Sequence, residues 1–136
     1  MIKRATNENA KELARLAIQM WHSITAEEFE ALISSDKAAC FLAYTDKDYA
    51  IGFAQCQLRF DYVEGTETSP VGYLEGIFVE EAYRHQNIAT ELLSACQEWA
   101  KEKGCSEFAS DCELDTFNIW VCCNNNFFYA FFTNPR

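Results

Sequence analysis

The sequence predicts one domain of the α/β (α+β) class, a mixed central β-sheet flanked by helices. Segments with apolar residues at three- and four-residue spacing alternate with short runs rich in β-branched and aromatic residues. In the second half a strand, a long amphipathic segment and a further strand follow one another, and a right-handed crossover makes such strands parallel neighbours. A chain of 136 residues with 49% hydrophobic content can bury one real core and is too short for two ordinary domains. Neither an internal repeat nor an interdomain linker is visible, so residues 1–136 read as a single domain.

After a short opening strand, Thr6 is placed to cap a helix whose apolar residues Leu13, Ala14, Ala17, Ile18 and Trp21 fall on one inward face. Thr25-Ala26-Glu27-Glu28 has the form in which a hydroxyl and a carboxylate each satisfy a free backbone N–H. A second helix starts there, with Phe29, Leu32 and Ile33 as its buried stripe. Residues 38–44 and 49–60 read as antiparallel strands joined by the polar turn Thr45-Asp46-Lys47-Asp48. Residues 61–70, DYVEGTETSP, form a polar loop, and 71–80 resume as a strand. From about Asn87 a helix carries Ile88, Leu92, Cys96, Trp99 and Ala100 on one face and stops at Gly104; residues 106–112 are a further strand.

Eleven basic against twenty-one acidic residues give a net charge of −10, which argues against nucleic acid or an anionic membrane as principal partner and suits a cationic one. Seven cysteines, at 40, 56, 96, 105, 112, 122 and 123, are odd in number and contain no C-x-x-C pair. They suggest neither a disulfide framework nor a metal site, but reduced and mostly buried thiols. No window approaches the ~18 apolar residues of a membrane helix and no leader-like apolar segment follows Met1. A cytoplasmic location is the default expectation.

Chemistry concentrates in residues 74–90, LEGIFVEEAYRHQNIAT, a strand, a tight polar loop and a helix start. Amides at a helix N-terminus are unpaired and sit at the positive end of its dipole, so this junction suits a pyrophosphate. Arg84-His85-Gln86-Asn87-Ile88-Ala89 resembles the Q/R-x-x-G-x-G/A motif of the GNAT superfamily of acetyl-CoA-dependent N-acetyltransferases. Asn87 stands where the motif has its first glycine, and asparagine tolerates a left-handed backbone better than most residues. From about Leu42 to Asp115, including DYVEGTETSPV, LEGIFV, EFASD and LD, the chain is similar to the aminoglycoside 6'-N-acetyltransferases of that superfamily.

The resemblance implies acetyl-CoA as co-substrate with no metal, and a small cationic amine as acceptor, foremost the 6'-amino group of an aminoglycoside, in antibiotic resistance. Open alternatives are another small amine or a peptide amine, and a CoA-binding remnant without turnover. By resemblance the strand edge Ile77, Phe78 and Val79 pairs with the pantetheine arm, and Arg84, His85, Gln86, Asn87, Ile88, Ala89 and Thr90 hold the pyrophosphate. The acceptor ammonium must lose a proton before attack, and Glu75, near the expected strand bulge, fits the base. The N–H of Phe78 or Val79 is placed to polarise the thioester carbonyl. Trp21, Tyr62, Glu64, Glu75, Asp111 and Asp115 are the expected acceptor contacts.

After Asp115 the resemblance stops. The family continues with a helix and two strands, whereas this chain reads TFNIWVCCNNNFFYAFFTNPR over 116–136, without helical or strand periodicity. The C-terminal helix and strands are therefore expected to be missing or replaced. A change of reading frame near codon 115, together with a deletion, would produce such a tail: Trp120-Val121 is encoded TGG-GTN, which read one nucleotide later gives the family's Gly and permits its Phe. An exposed sheet edge then predicts a dimer or larger assembly.

Overall fold

The computed structural model describes residues 1–21, 23–61 and 67–110. Its elements in chain order are β1 (Ile2–Arg4), α1 (Ala10–Ala17), α2 (Ala26–Ser34), β2 (Ala38–Tyr44), β3 (Ala50–Arg59), β4 (Val71–Val79), α3 (Ile88–Glu102) and β5 (Phe108–Ser110). The five strands form one mixed sheet in sequence order, antiparallel from β1 to β4 and parallel between β4 and β5. The βαβ unit and the hairpin lie where sequence patterning puts them.

Two apolar layers cover the sheet. Strand β2 divides its side chains by simple alternation: Ala39, Phe41 and Ala43 join the layer under α3, whereas Cys40 and Leu42 join the layer under α1 and α2. Leu13 and Leu16 of α1 and Phe29 of α2 are fully buried in the second layer, each worth about 1.5–3 kcal/mol relative to exposure. Leu92, Leu93, Cys96, Trp99 and Ala100 seal the first. The four cysteines at 40, 56, 96 and 105 are buried free thiols, and loss of hydration pushes the Cys40 thiol up to about 12.

Local signals explain most boundaries. Helix α2 starts at the reciprocal cap, with Glu28 N–H donating to Thr25 Oγ1 at 3.2 Å and Thr25 N–H donating to Glu28 Oε1 at 2.8 Å. The β2–β3 turn is held by Thr45 Oγ1, which accepts from the N–H groups of Lys47 and Tyr49. Helix α3 stops where Gly104 adopts φ +92°, a left-handed conformation that opposes continuation.

The first helix departs from expectation. Thr6 is followed by a 3-10 turn over Asn7–Asn9, α1 begins only at Ala10, and Ile18 is exposed. The N–H groups of Met20 and Trp21 both bond Ala17 O, at 2.8 and 2.7 Å, so the chain tightens into a last turn beyond Ala17. Trp21 is thereby carried off the helix and over the sheet. Observed β3, β4 and α3 otherwise begin or end within a residue or two of the expected bounds. The expected replacement of the C-terminal helix and strands falls on residues outside those described.

Candidate active site

The site is organised by one irregularity in β4. Gln55 faces Gly76 and Cys56 faces Leu74, so Glu75 is an extra residue with no partner of its own on β3. This is a β-bulge, and it inverts both periodicities of the strand. Before it, Gly72 N–H donates to Glu107 O and Leu74 O accepts from Ser110 Oγ, so even-numbered residues present their backbone to β5. After it, Glu80 N–H donates to Ile51 O at 2.8 Å, which by alternation turns the backbone of Gly76 and Phe78 toward β3. Ile77 and Val79 are left with their amides and carbonyls on the opposite edge. Pairing with β5 reaches Leu74, whose partner Ser110 is the last described residue of that strand, so from Glu75 onward this edge has no strand partner among the described residues.

Arg84 folds back onto this edge. Its Nε donates to Val79 O at 2.7 Å and its guanidinium lies 5.6 Å from the Phe78 ring centroid. The Val79 carbonyl is therefore taken, and the edge offers the Ile77 amide and carbonyl and the Val79 N–H. Of the two amides expected to polarise a carbonyl, the register turns that of Phe78 into the sheet and that of Val79 out of it. On the other side of the strand end, Arg15 of α1 bonds Glu80 at 3.2 Å and Ala50 O at 2.8 Å, fixing α1 against the β4 terminus.

The loop into α3 has a backbone fit for an anion. His85 and Asn87 have φ +69° and +68°, with Gln86 between them on the ordinary side; alternating handedness of this kind turns successive N–H groups toward one concavity. The Asn87 side chain does not cap α3, and amides in the first turn of a helix, such as those of Ile88 and Ala89, have no i−4 carbonyl within it. Glu91 N–H bonds back to Asn87 O at 3.0 Å. Arg84 joins the edge at Ile77 and Val79 to the loop at 84–90 through its bond to the Val79 carbonyl.

Glu75 emerges beside this edge. Arg59 of β3 donates to its Oε2 through Nε at 3.1 Å and Nη2 at 2.8 Å, while the same guanidinium stacks 3.9 Å above the Tyr73 ring. Arg59 also lines an open cavity of about 370 Å³ whose described walls are Gln57, Leu58, Phe60 and Asp61. Trp21 lies over Gly76, so close that a Cβ there would run into the indole. Its ring stands edge-on to Phe53 at 5.9 Å, a contact worth about 0.5–1.5 kcal/mol beyond burial. Half-buried, it keeps part of its surface accessible.

The structure thus gathers Trp21, Glu75, Ile77, Phe78, Val79 and the 84–90 loop around one end of β4. Tyr62, Glu64, Asp111 and Asp115 lie outside the described residues. Three contributors were not foreseen: Arg59, Gly76 and Glu107. The one charged residue of β3, at its C-terminal end, was the available signal for the first. Nothing local marks Gly76 as the seat of a ring far away in sequence. Glu107 is buried and accepts from Glu67 N–H, Thr68 N–H and the Thr68 hydroxyl. Burial alone would raise its carboxyl, but these bonds override that and hold it below the usual carboxylate range.

A bulged strand, a left-handed loop leading into a helix N-terminus and a carboxylate at the bulge are the features expected of a CoA-dependent N-acyltransferase. A profile of the acetyltransferase (GNAT) family matches residues 6–119, and the chain belongs to that family. The match begins well before Leu42, so the N-terminal helices are part of the likeness. The chain is 42% identical over 117 residues to an aminoglycoside N(6')-acetyltransferase type 1 of Acinetobacter haemolyticus, covering 84% of this chain and 80% of the relative. With the enzyme of the same description from Acinetobacter baumannii it shares 47% over 89 residues, 65% of this chain and 61% of the relative. Among solved structures it is similar to AAC(6')-Iy in complex with the bisubstrate analog CoA-S-monomethyl-acetylneamine, at TM-score 0.84 and 32% identity, covering 92% of this chain and 87% of that one.

Proposed function

We propose that this chain transfers the acetyl group of acetyl-CoA to the 6'-amino group of an aminoglycoside, by direct attack of the amine in a ternary complex. The observation that carries the reading is the juxtaposition of Glu75, at the bulge, with the open edge that the same bulge creates. Acetyl-CoA supplies an acetyl thioester already activated for aminolysis. The chain supplies position and proton transfer. Ile77 and Val79 offer the free strand edge to the pantetheine amides, as an added strand would be received, and the amides of 84–90 hold the diphosphate.

Glu75 accepts the proton of the acceptor ammonium, directly or through a water. The Val79 N–H points out of the sheet toward the developing negative charge on the thioester oxygen. Trp21 and Tyr62 offer aromatic faces to a sugar ring, and Glu64, Asp111 and Asp115 are the carboxylates expected to meet its ammonium groups. The similarity to enzymes described as aminoglycoside N(6')-acetyltransferases supports the acceptor class, and the bisubstrate complex of AAC(6')-Iy supports the ternary geometry. The net charge of −10 supports attraction of a polycation. No helix among the described residues is long and apolar enough to cross a membrane; cytoplasmic residence and a homodimer complete the reading.

Thiol release on mixing the chain with acetyl-CoA and a kanamycin-type amine tests it. Turnover dependent on the amine and lowered by about 10²–10⁴-fold in Glu75→Gln is the expected result. CoA binding without transfer to any 6'-amino aminoglycoside would contradict it.

A further inference from the structure

Glu107 holds two parts of the molecule together, and one of them bears on the acceptor. It precedes β5, is only 2% exposed, and its own carbonyl accepts from Gly72 N–H at 3.0 Å, tying it by backbone to the strand that carries Glu75. Its side chain reaches the stem of the 61–70 loop. Oε1 receives Glu67 N–H at 2.9 Å, Thr68 N–H at 2.8 Å and the Thr68 hydroxyl. The next residue closes the stem, since Ser69 Oγ donates to Phe60 O at 3.0 Å. Phe60 and Asp61 in turn line the cavity shared with Arg59, the partner of Glu75. A continuous path of bonds therefore runs from β4 through Glu107 and Thr68 to the cavity mouth.

An anion removed from water is retained only where directed bonds replace its hydration, and an apolar side chain would fill the same space at lower desolvation cost. Here the retained anion fixes a loop whose backbone would otherwise have unpaired donors at 67 and 68. We propose that Glu107 is a positioning residue for the acceptor: it locks the stem of the 61–70 loop to β4, so that the cavity mouth and the Glu75 carboxylate keep one separation. The proposal rests on the reading that this cavity receives the amine. It places the effect of Glu107 on the acceptor and not on the donor, whose expected seat lies beyond the bulge, at Ile77 to Val79 and the 84–90 loop.

The test compares the full-length wild type with Glu107→Ala, Glu107→Gln and Thr68→Val. Steady-state kinetics are measured with acetyl-CoA and kanamycin, alongside calorimetric titration of CoA and of kanamycin and thermal unfolding. Misplacement of about an ångström costs up to roughly a hundredfold in rate, so Glu107→Ala is expected to lower kcat/KM for the amine by at least about tenfold, chiefly through KM. The KM for acetyl-CoA and the Kd for CoA stay within about twofold of wild type. Glu107→Gln keeps an oxygen able to accept from the same donors and recovers most of the loss. Thr68→Val loses one bond of the three and shows a smaller effect in the same direction; it decides the matter if Glu107→Ala does not fold. Equal losses for donor and amine, or an unchanged amine KM in a folded variant, would overturn the clamp while leaving the functional reading intact. A wild type that neither binds nor acetylates the amine would overturn that reading and the clamp with it; amine binding without turnover leaves the Kd ratios to judge the clamp.

Discussion

Gly72 and Gly76 lie four residues apart on one strand yet face opposite sides of the sheet. A methyl at 72 would meet Ala100 Cβ and the Phe108 ring at 2.6 Å, under α3, whereas one at 76 would run into the Trp21 indole. Residues four apart on an unbroken strand share a face. The strand therefore contains one residue too many, and the register identifies it as Glu75. The same insertion brings out a carboxylate, turns the Ile77 and Val79 amides to the edge away from β3 and seats the Trp21 ring on Gly76.

The Trp21 seat can be tested by size. Gly76→Ala forces the indole off Gly76 and away from Phe53, and overpacking of this kind costs about 1–3 kcal/mol. Denaturant unfolding should show a lower midpoint with an unchanged slope, and the KM for the amine should rise. A variant as stable as wild type, with unchanged amine KM, would mean that Trp21 has room to move and that its seat has no functional consequence.

Glu75→Gln preserves shape and removes the base. General-base contributions run at about 10²–10⁴ in rate, so kcat/KM for the amine should fall within that range while the unfolding midpoint shifts little. Activity within a few-fold of wild type would assign proton removal to another group.

Asn87 occupies a left-handed conformation at φ +68°. Glycine adopts this without penalty, whereas a β-branched residue pays about 1–2 kcal/mol or more. Asn87→Gly should leave CoA affinity equal or better, and Asn87→Val should weaken it by about tenfold or more, read by calorimetry. Equal affinities in both would separate this loop from the diphosphate.

The Glu107 carboxyl lies below the usual range in the folded chain. A depressed folded value means that its contribution to stability is complete above the ordinary glutamate range. It is lost as pH falls from there through the lowered folded value. The acid limb of the stability profile should therefore be shallower in Glu107→Gln than in wild type, with the two curves parallel at neutral pH. Identical acid limbs would show that the carboxylate bonds to Glu67 and Thr68 do not stabilise the charged form.

What the sequence made legible is local. The reciprocal cap at Thr25 and Glu28, the strand at 38–44, the stop at Gly104 and a left-handed tolerance at Asn87 are each written within a few residues, and each has its counterpart in the structure. The remainder depends on pairing. A register shift exists only between two strands, so the extra residue at 75 needs β3 to define it. Arg59 meets Glu75 across strands, Trp21 reaches Gly76 from beyond α1, and Glu107 finds Thr68 across the sheet edge. Helical spacing placed Ile18 and Trp21 on one buried face, but α1 ends at Ala17, Ile18 is exposed and Trp21 lies over Gly76. His85 gave no warning of its left-handed backbone, because the reason lies in the loop's turn and not in the residue.

Amide hydrogen exchange on CoA binding tests the central claim most directly. Saturating CoA should slow exchange at Val79 and Ile77 and at residues 86–90, while Phe78 and Gly76, already bonded to β3, change little. A ligand that binds without protecting the alternate edge amides, or that protects Phe78 in their place, would contradict the bulge-generated donor seat.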